Sequence, residues 1–329
     1  WSADGYDETY KRIGSAHDHV WHESDHYEKG KDIVKEGLEK GVFKESEGAI
    51  ITNLDSYNLP NTVVQKTDGT ALYITQDLAL TKLKQDKFKA DLYVWDIGEE
   101  QSLYFKQLFA VCEQLGYGKR DNYLHLSYAL GNMLGGKKMS TRKGDVVSAD
   151  DILDEMKIKA KKIGGDNDEI AEAVGLAGLK YSLLRVGKNM TMVFDPETSL
   201  SLEGDSGPYI QYTYARAMSV LRKAHSCHPE LVSGSGSQML KQVQHDIAPE
   251  ELALLRHLYK FPEIIELAAK QYAPNVICTY LFELAKRFNN LYNNCPIIGN
   301  DFRLSLTNAT LIILASGLNL LGIKALEKM

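Results

Sequence analysis

Two periodicities divide the chain near residue 150. Upstream, short runs rich in β-branched and aromatic residues alternate with stretches whose apolar positions recur every three or four residues. Residues 49–54, 62–66, 71–74, 91–97 and 123–130 read as strands, and 75–85 and 99–115 as helices. In the second helix Leu103, Leu108, Val111, Cys112 and Leu115 make an apolar stripe. Such alternation predicts an α/β fold around a parallel sheet, with a ligand crevice at the C-terminal ends of the strands. Downstream the strand signal fades, and helices are predicted over 149–163, 167–187, 208–224, 250–271, 275–293 and 304–321. Pro208 suits a first helical position, and Ile210, Tyr214, Ala217, Met218 and Leu221 give its helix one apolar face. The downstream part therefore reads as an all-α bundle. Residues 226–246 interrupt it with Ser233-Gly234-Ser235-Gly236-Ser237 and little apolar pattern, as a surface insertion would.

Composition narrows the class. At 329 residues and 44% hydrophobic, the chain is long enough for two domains with separate cores. A net charge of −6 argues against coating nucleic acid through overall charge, so any RNA contact must come from local basic patches. Cys112, Cys227, Cys278 and Cys295 lie far apart with no CxxC pair, so neither a disulfide framework nor a four-thiolate zinc site is indicated, and a reducing cytoplasm is expected. Cys227, His228 and His245 match no common zinc spacing. The longest apolar run, 311–321, is broken by Ser316, Gly317 and Asn319, short of the ~20 residues of a membrane span. The chain opens on Trp1 in a polar stretch without a clear element, which suggests that the natural start lies upstream.

Candidate chemistry gathers at a few places. Lys137-Lys138-Met139-Ser140-Thr141-Arg142-Lys143-Gly144 packs four cations and two hydroxyls behind Gly135-Gly136, just upstream of a helix predicted from near Ser148. Glycines bring backbone N–H groups close to a ligand and the cations neutralise phosphate oxygens, although a solvated basic turn has the same composition. In Thr67-Asp68-Gly69-Thr70-Ala71-Leu72-Tyr73-Ile74-Thr75-Gln76-Asp77, Thr75 would cap a helix and put Asp77 in its first turn. A carboxylate there complements the helix dipole by ~0.3–1 kcal/mol with no ligand. It could equally take a guanidinium in two parallel hydrogen bonds, flanked by Tyr73, and would then reject the point charge of lysine. Tyr209 and Tyr212 could stack on unpaired bases with Arg216, Arg222 and Lys223 on phosphates, or could pack between helices. His22-Glu23-Ser24-Asp25-His26 satisfies the zinc-protease pattern HExxH, with His19 one turn earlier, but lacks the apolar helix such a site needs.

Several of these segments resemble arginyl-tRNA synthetases, a class I family. Lys138-Met139-Ser140 with Thr141-Arg142-Lys143 is similar to the KMSKS signature; Thr141 replaces its second Lys, leaving Arg142 or Lys143 to supply that charge. The stretch from Asp68 to Ala79 resembles DGT…LYxTRDLA, with Gln76 where Arg is frequent. Gly98-Glu99-Glu100-Gln101 resembles the family's GxxQ turn, His125 its H-x-x-F-G segment with Tyr128-Ala129 substituted, and 204–216 its EGDTGPYLQYAHAR stretch with Tyr214 for His. The acidic segment 18–31 and the closing residues 320–329 are also family-like, so the C-terminus is expected to be the natural one.

The resemblance implies the second half of a Rossmann-like catalytic domain over 1–188, followed by an α-helical anticodon-binding domain over 205–329 with the insertion 226–246. It implies ATP-dependent activation of arginine and transfer to tRNA(Arg), with ATP as a substrate, Mg2+ accompanying it and no tightly bound cofactor. Lys138, Ser140, Arg142 and Lys143 would act on the migrating phosphates, and His125, Lys138 and Met139 would face ATP. Tyr73, Asp77 and Gln101 would hold arginine; Tyr209, Tyr212, Arg216, Arg222 and Lys223 would meet tRNA; no residue would hold a metal. A monomer in the cytoplasm, with no membrane attachment, is expected. No His-x-Gly-His occurs in the sequence, so the HIGH half of the family's phosphate clamp is expected from elsewhere, in one case as a separate chain. A non-catalytic tRNA-binding remnant and, remotely, a zinc metalloprotease are the alternatives.

Overall fold

The computed structural model describes residues 2–25, 29–129, 132–133, 148–164, 167–227 and 247–329. In chain order the elements are α1 (Ser2–Ile13), α2 (Lys29–Glu39), β1 (Phe43–Ser46), β2 (Ala49–Thr52), β3 (Val63–Gln65), α3 (Tyr73–Phe88), β4 (Tyr93–Gly98), α4 (Ser102–Leu115), β5 (Tyr123–Tyr128) and β6 (Asn132–Met133). Then follow α5 (Ala149–Gly164), α6 (Asp168–Leu184), β7 (Val193–Phe194), α7 (Pro196–Ser199), α8 (Gly207–Cys227), α9 (Pro249–Leu258), α10 (Phe261–Gln271), α11 (Pro274–Asn294) and α12 (Asp301–Leu320). They form two compact units, one of residues 16–130 and one of residues 1–15 with 131–329. Among the described residues no helix is long and apolar enough to cross a membrane.

Among the described residues of the α/β unit, the parallel expectation holds for one strand pair only. β4 and β5 run parallel, from Tyr93 opposite Tyr123 to Gly98 opposite Tyr128, because α4 carries the chain back across the sheet. β1, β2 and β3 form an antiparallel meander instead. Glu47 and Gly48, both at positive φ (51° and 79°), close β1 onto β2 as a two-residue hairpin. The link from β2 to β3 is likewise too short for the crossover that parallel strands require. The strand expected at 71–74 shrinks to a single bridge between Gln65 and Ala71. Asp68 Oδ1 accepts the N–H of Thr70 at 2.8 Å and Lys66 N–H donates to Thr70 O at 2.9 Å, so a tight turn consumes the segment before α3 begins.

The core of this unit joins Ile33 and Val34 of α2 to Leu54, Val64, Leu78, Leu108, Val111 and Cys112. Leu103, predicted to belong to the apolar stripe of α4, is 50% exposed, and Phe105 takes the buried position.

In the helical unit, Leu254, Cys278, Leu281, Leu284, Phe288, Leu291, Leu314 and Leu318 form the centre, with Ala177 and Tyr181 of α6 packed into it. The helix predicted over 250–271 breaks into α9 and α10 around Tyr259 and Lys260. Pro262 lies in the first turn of α10, and its ring would clash with the carbonyl of Leu258 in a continuous helix. α1, where the sequence shows no clear element, is anchored by charge: Arg12 pairs with Asp150 at 3.4 Å, Asp154 at 2.7 Å and Glu172 at 2.8 Å. Gly207 opens α8 against α6, where a Cβ would lie 2.3 Å from the carbonyl oxygen of Ala177. Only glycine allows that approach.

Candidate active site

Most of the family-like residues of the α/β unit lie near the starts of two helices, α3 and α4. α3 begins at Tyr73 with Leu72 as its N-cap, two residues earlier than predicted, so Thr75 is no cap; its hydroxyl donates to Leu72 O at 2.7 Å. Asp77 therefore sits beyond the first turn, where the helix dipole does little for a carboxylate. Its partner lies on the neighbouring helix: the Tyr104 hydroxyl of α4 donates to Asp77 Oδ2. Tyr73, four residues before Asp77, shares its helix face and is 77% exposed.

Gln101 ends a short 3-10 turn that follows β4 and is the N-cap of α4. This is the C-terminal end of the parallel strand pair, the rim expected for a ligand. Tyr104 lies one helical turn after Gln101 and so on the same side of α4. Tyr73, Asp77, Tyr104 and Gln101 thus belong to one junction of α3, α4 and the strand end.

The electrostatics of this junction follow from a half-buried carboxylate. Burial first, and then the charge of Asp77, push the Tyr104 hydroxyl far above the ordinary phenol range, so it stays a neutral donor. The same two causes raise the thiol of Cys112, which is fully buried. Burial lowers the ammonium of Lys84, two turns along α3, while Asp77 opposes that shift.

His125 lies on β5 opposite Trp95. Its ring nitrogen Nε2 is 3.0 Å from Ile97 O, and its ring stacks on Phe105 with centroids 4.7 Å apart. These contacts fix the ring within the aromatic cluster of β4, β5 and α4. Lys138, Met139, Ser140, Arg142 and Lys143 lie outside the described residues, as does the insertion from 228 to 246. In the HExxH segment, Glu23 to Asp25 form a 3-10 turn and His22 is exposed, which is not the buried α-helix a zinc protease needs; His26 lies outside the described residues. Among the described residues no group of three or more His, Cys, Asp or Glu is placed to hold a metal ion.

A second arrangement occupies the helical unit. A groove of about 730 Å3 is lined by Tyr212, Arg216, Arg222, Lys223, Tyr292 and Lys328, among others. Four of the five residues singled out for RNA contact therefore share one surface. The Arg216 guanidinium lies 4.8 Å from the ring centre of Tyr212 and 5.1 Å from that of Tyr292, and donates to Asn289 Oδ1 at 2.7 Å. It holds the two rings as walls more than it reaches out to solvent. Arg222 donates to Glu327 O at 3.1 Å, whereas Lys223 is exposed. Tyr209 lines an adjacent groove with Lys286 and Arg287; its hydroxyl accepts from Asn289 Nδ2 at 3.0 Å. Tyr292 and Asn289 escaped sequence reading because both fall in the regular pattern of α11, where an aromatic or amide gives no sign of facing a groove.

Residues 3–195 match the family model for the catalytic domain of class I tRNA synthetases (R), and residues 210–329 match the DALR anticodon binding domain. The chain belongs to the arginyl-tRNA synthetase family. It is 38% identical to the arginine–tRNA ligase of Treponema denticola and 34% identical to that of Flavobacterium psychrophilum, covering 100% of this chain but only 58% and 56% of those proteins. The chain thus spans a little over half the length of these relatives. Among solved structures, Thermus thermophilus arginyl-tRNA synthetase aligns with a TM-score of 0.76 at 27% identity, over 92% of this chain and 59% of that one. A Mycobacterium tuberculosis methionyl-tRNA synthetase shares the fold, with a TM-score of 0.67 at 14% identity. Membership in the arginyl-tRNA synthetase family accounts for the α/β catalytic part with its parallel pair and for the helical domain that follows.

Proposed function

We propose that this chain carries the arginine side and the anticodon side of an arginine–tRNA ligase. The observation that supports this most is the Tyr73 and Asp77 pair on one face of α3, with Asp77 backed by the Tyr104 hydroxyl, in a chain that belongs to the arginyl-tRNA synthetase family. Asp77 takes the guanidinium, Tyr73 flanks it, and Gln101 meets the amino-acid end at the strand rim. Residues 1–188 then serve catalysis and 205–329 serve tRNA.

In the reaction, a carboxylate oxygen of arginine attacks the α-phosphorus of ATP; that O–P bond forms as the bond to pyrophosphate breaks, giving arginyl-adenylate. A terminal hydroxyl of tRNA(Arg) then attacks the acyl carbon and AMP departs. Both steps need positioning and charge neutralisation more than a general base. Lys138, Ser140, Arg142 and Lys143 act on the departing pyrophosphate, and His125 and Met139 face ATP. Mg2+ comes with ATP as its counter-ion, and no step is assigned to a protein-held metal. Tyr212 and Tyr292 offer stacking walls to unpaired tRNA bases, with Lys223 on phosphate. The protein acts in the cytoplasm as a monomer, joined by a HIGH-bearing segment either in the same polypeptide or as a partner chain.

The test is a paired measurement on the purified 329-residue chain. It is expected to bind tRNA(Arg) in a salt-dependent way and to give only background ATP–pyrophosphate exchange, even with arginine and tRNA present. Robust exchange would contradict the division of the clamp. Absence of tRNA binding would remove the assignment of the helical domain.

A further inference from the structure

We propose that Tyr104 is a positioning residue that fixes the plane of the Asp77 carboxylate and thereby sets the preference for arginine over lysine. This rests on the reading of Asp77 as the partner of the guanidinium.

The physical reason lies in what the two ligands require. A carboxylate turns easily about its terminal torsion, because that torsion is broad. A guanidinium presents a planar fork and gains its second hydrogen bond only when the carboxylate lies in the same plane. An ammonium is a compact point charge and is indifferent to that rotation. A donor that pins one carboxylate oxygen therefore favours the fork over the point charge.

Tyr104 is built for that task. Its hydroxyl donates to Asp77 Oδ2, and its ring meets Phe105 edge-on, with centroids 5.3 Å apart and planes at 86°. Phe105 is buried and stacked on His125, so the aromatic layer behind the hydroxyl is fixed. The hydroxyl also cannot ionise near neutral pH, since burial and the carboxylate charge both oppose it. The tyrosine is thus a permanent donor on a rigid mount, one turn from Gln101.

The test is equilibrium dialysis of the 329-residue chain against labelled arginine and labelled lysine, with the unaltered protein, Tyr104→Phe and Asp77→Asn, each checked by thermal melting. Tyr104→Phe keeps the ring and removes only the donor. It is expected to weaken arginine binding about tenfold and lysine binding less than about twofold, with an unchanged melt. Equal losses for the two ligands, or none for arginine while Asp77→Asn still abolishes binding, would overturn the role of Tyr104 and leave Asp77 in place. If Asp77→Asn binds arginine normally, or the unaltered chain binds none, the reading of Asp77 fails and the role of Tyr104 fails with it.

Discussion

Asp77→Asn is expected to weaken arginine binding by the chain roughly a hundredfold, as measured by equilibrium dialysis, with thermal stability nearly unchanged. The substitution preserves shape and removes one charge, so a loss of this size identifies the carboxylate as the partner of a cation. Two features of the structure make the alternative less economical. Asp77 lies past the first turn of α3, which removes most of the helix-dipole explanation for a carboxylate there. The Tyr104 hydroxyl on Asp77 Oδ2 also holds the carboxylate at the junction of α3 and α4, beside the exposed ring of Tyr73. If Asp77→Asn leaves arginine affinity within about twofold, the carboxylate serves the fold and not the substrate.

A comparably large effect on stability is expected at Arg303. Its Nε donates to Glu251 Oε1 at 2.6 Å and its Nη1 to Pro296 O at 2.8 Å, while Glu251 Oε2 accepts from Ala248 N at 2.7 Å. The Glu251 side chain is only 5% exposed, so water does little to stabilise its charge and Arg303 carries most of the compensation of that charge. Arg303→Met should cost about 3 kcal/mol, because it takes the charged partner away from a carboxylate that is nearly out of water. Thermal melting followed by circular dichroism would read this as a fall of roughly 6–12 °C. The double variant Glu251→Gln with Arg303→Met should recover most of the loss, since it removes the charge along with its partner. A fall of less than about 2 °C in the single variant would show that the pair is held too loosely to matter.

The helical half was the more legible in sequence, because its long helices place apolar residues at helical spacing against two buried clusters, one around Leu281 and Phe288 and one around Met156 and Val174. α11 and α8 fall close to their predicted bounds for that reason. The one split, between α9 and α10, turns on a single proline whose effect is local and covalent. In the α/β half, strand direction was not legible, since β-rich runs look alike whether they pair parallel or antiparallel. The length of the connection decides it, and only α4 is a true crossover between paired strands of that unit. α1 was illegible for a different reason: its anchors, Asp150, Asp154 and Glu172, are remote in sequence.

The candidate site was legible as motifs and not as contacts. Tyr73, Asp77 and Gln101 stand out by order and type; the fold places the first two on one face of α3 and Gln101 at the N-cap of α4, whose Tyr104 meets Asp77. Tyr104 did not stand out, because a tyrosine within an apolar helix pattern reads as packing until its hydroxyl is found on Asp77. Arg216 shows the converse. Its place beside Tyr212 in the sequence suggests a phosphate contact, and its guanidinium lies between two tyrosine rings and on Asn289.

The claim that joins these observations is that the junction of α3 and α4 selects a guanidinium. The most direct measurement is competition dialysis of the 329-residue chain with labelled arginine against unlabelled lysine and citrulline, the first offering charge without the fork and the second a neutral isostere of arginine. Arginine is expected to bind, with each competitor at least about tenfold weaker. Displacement of arginine by lysine or citrulline at equal concentration would mean that the junction does not select a guanidinium.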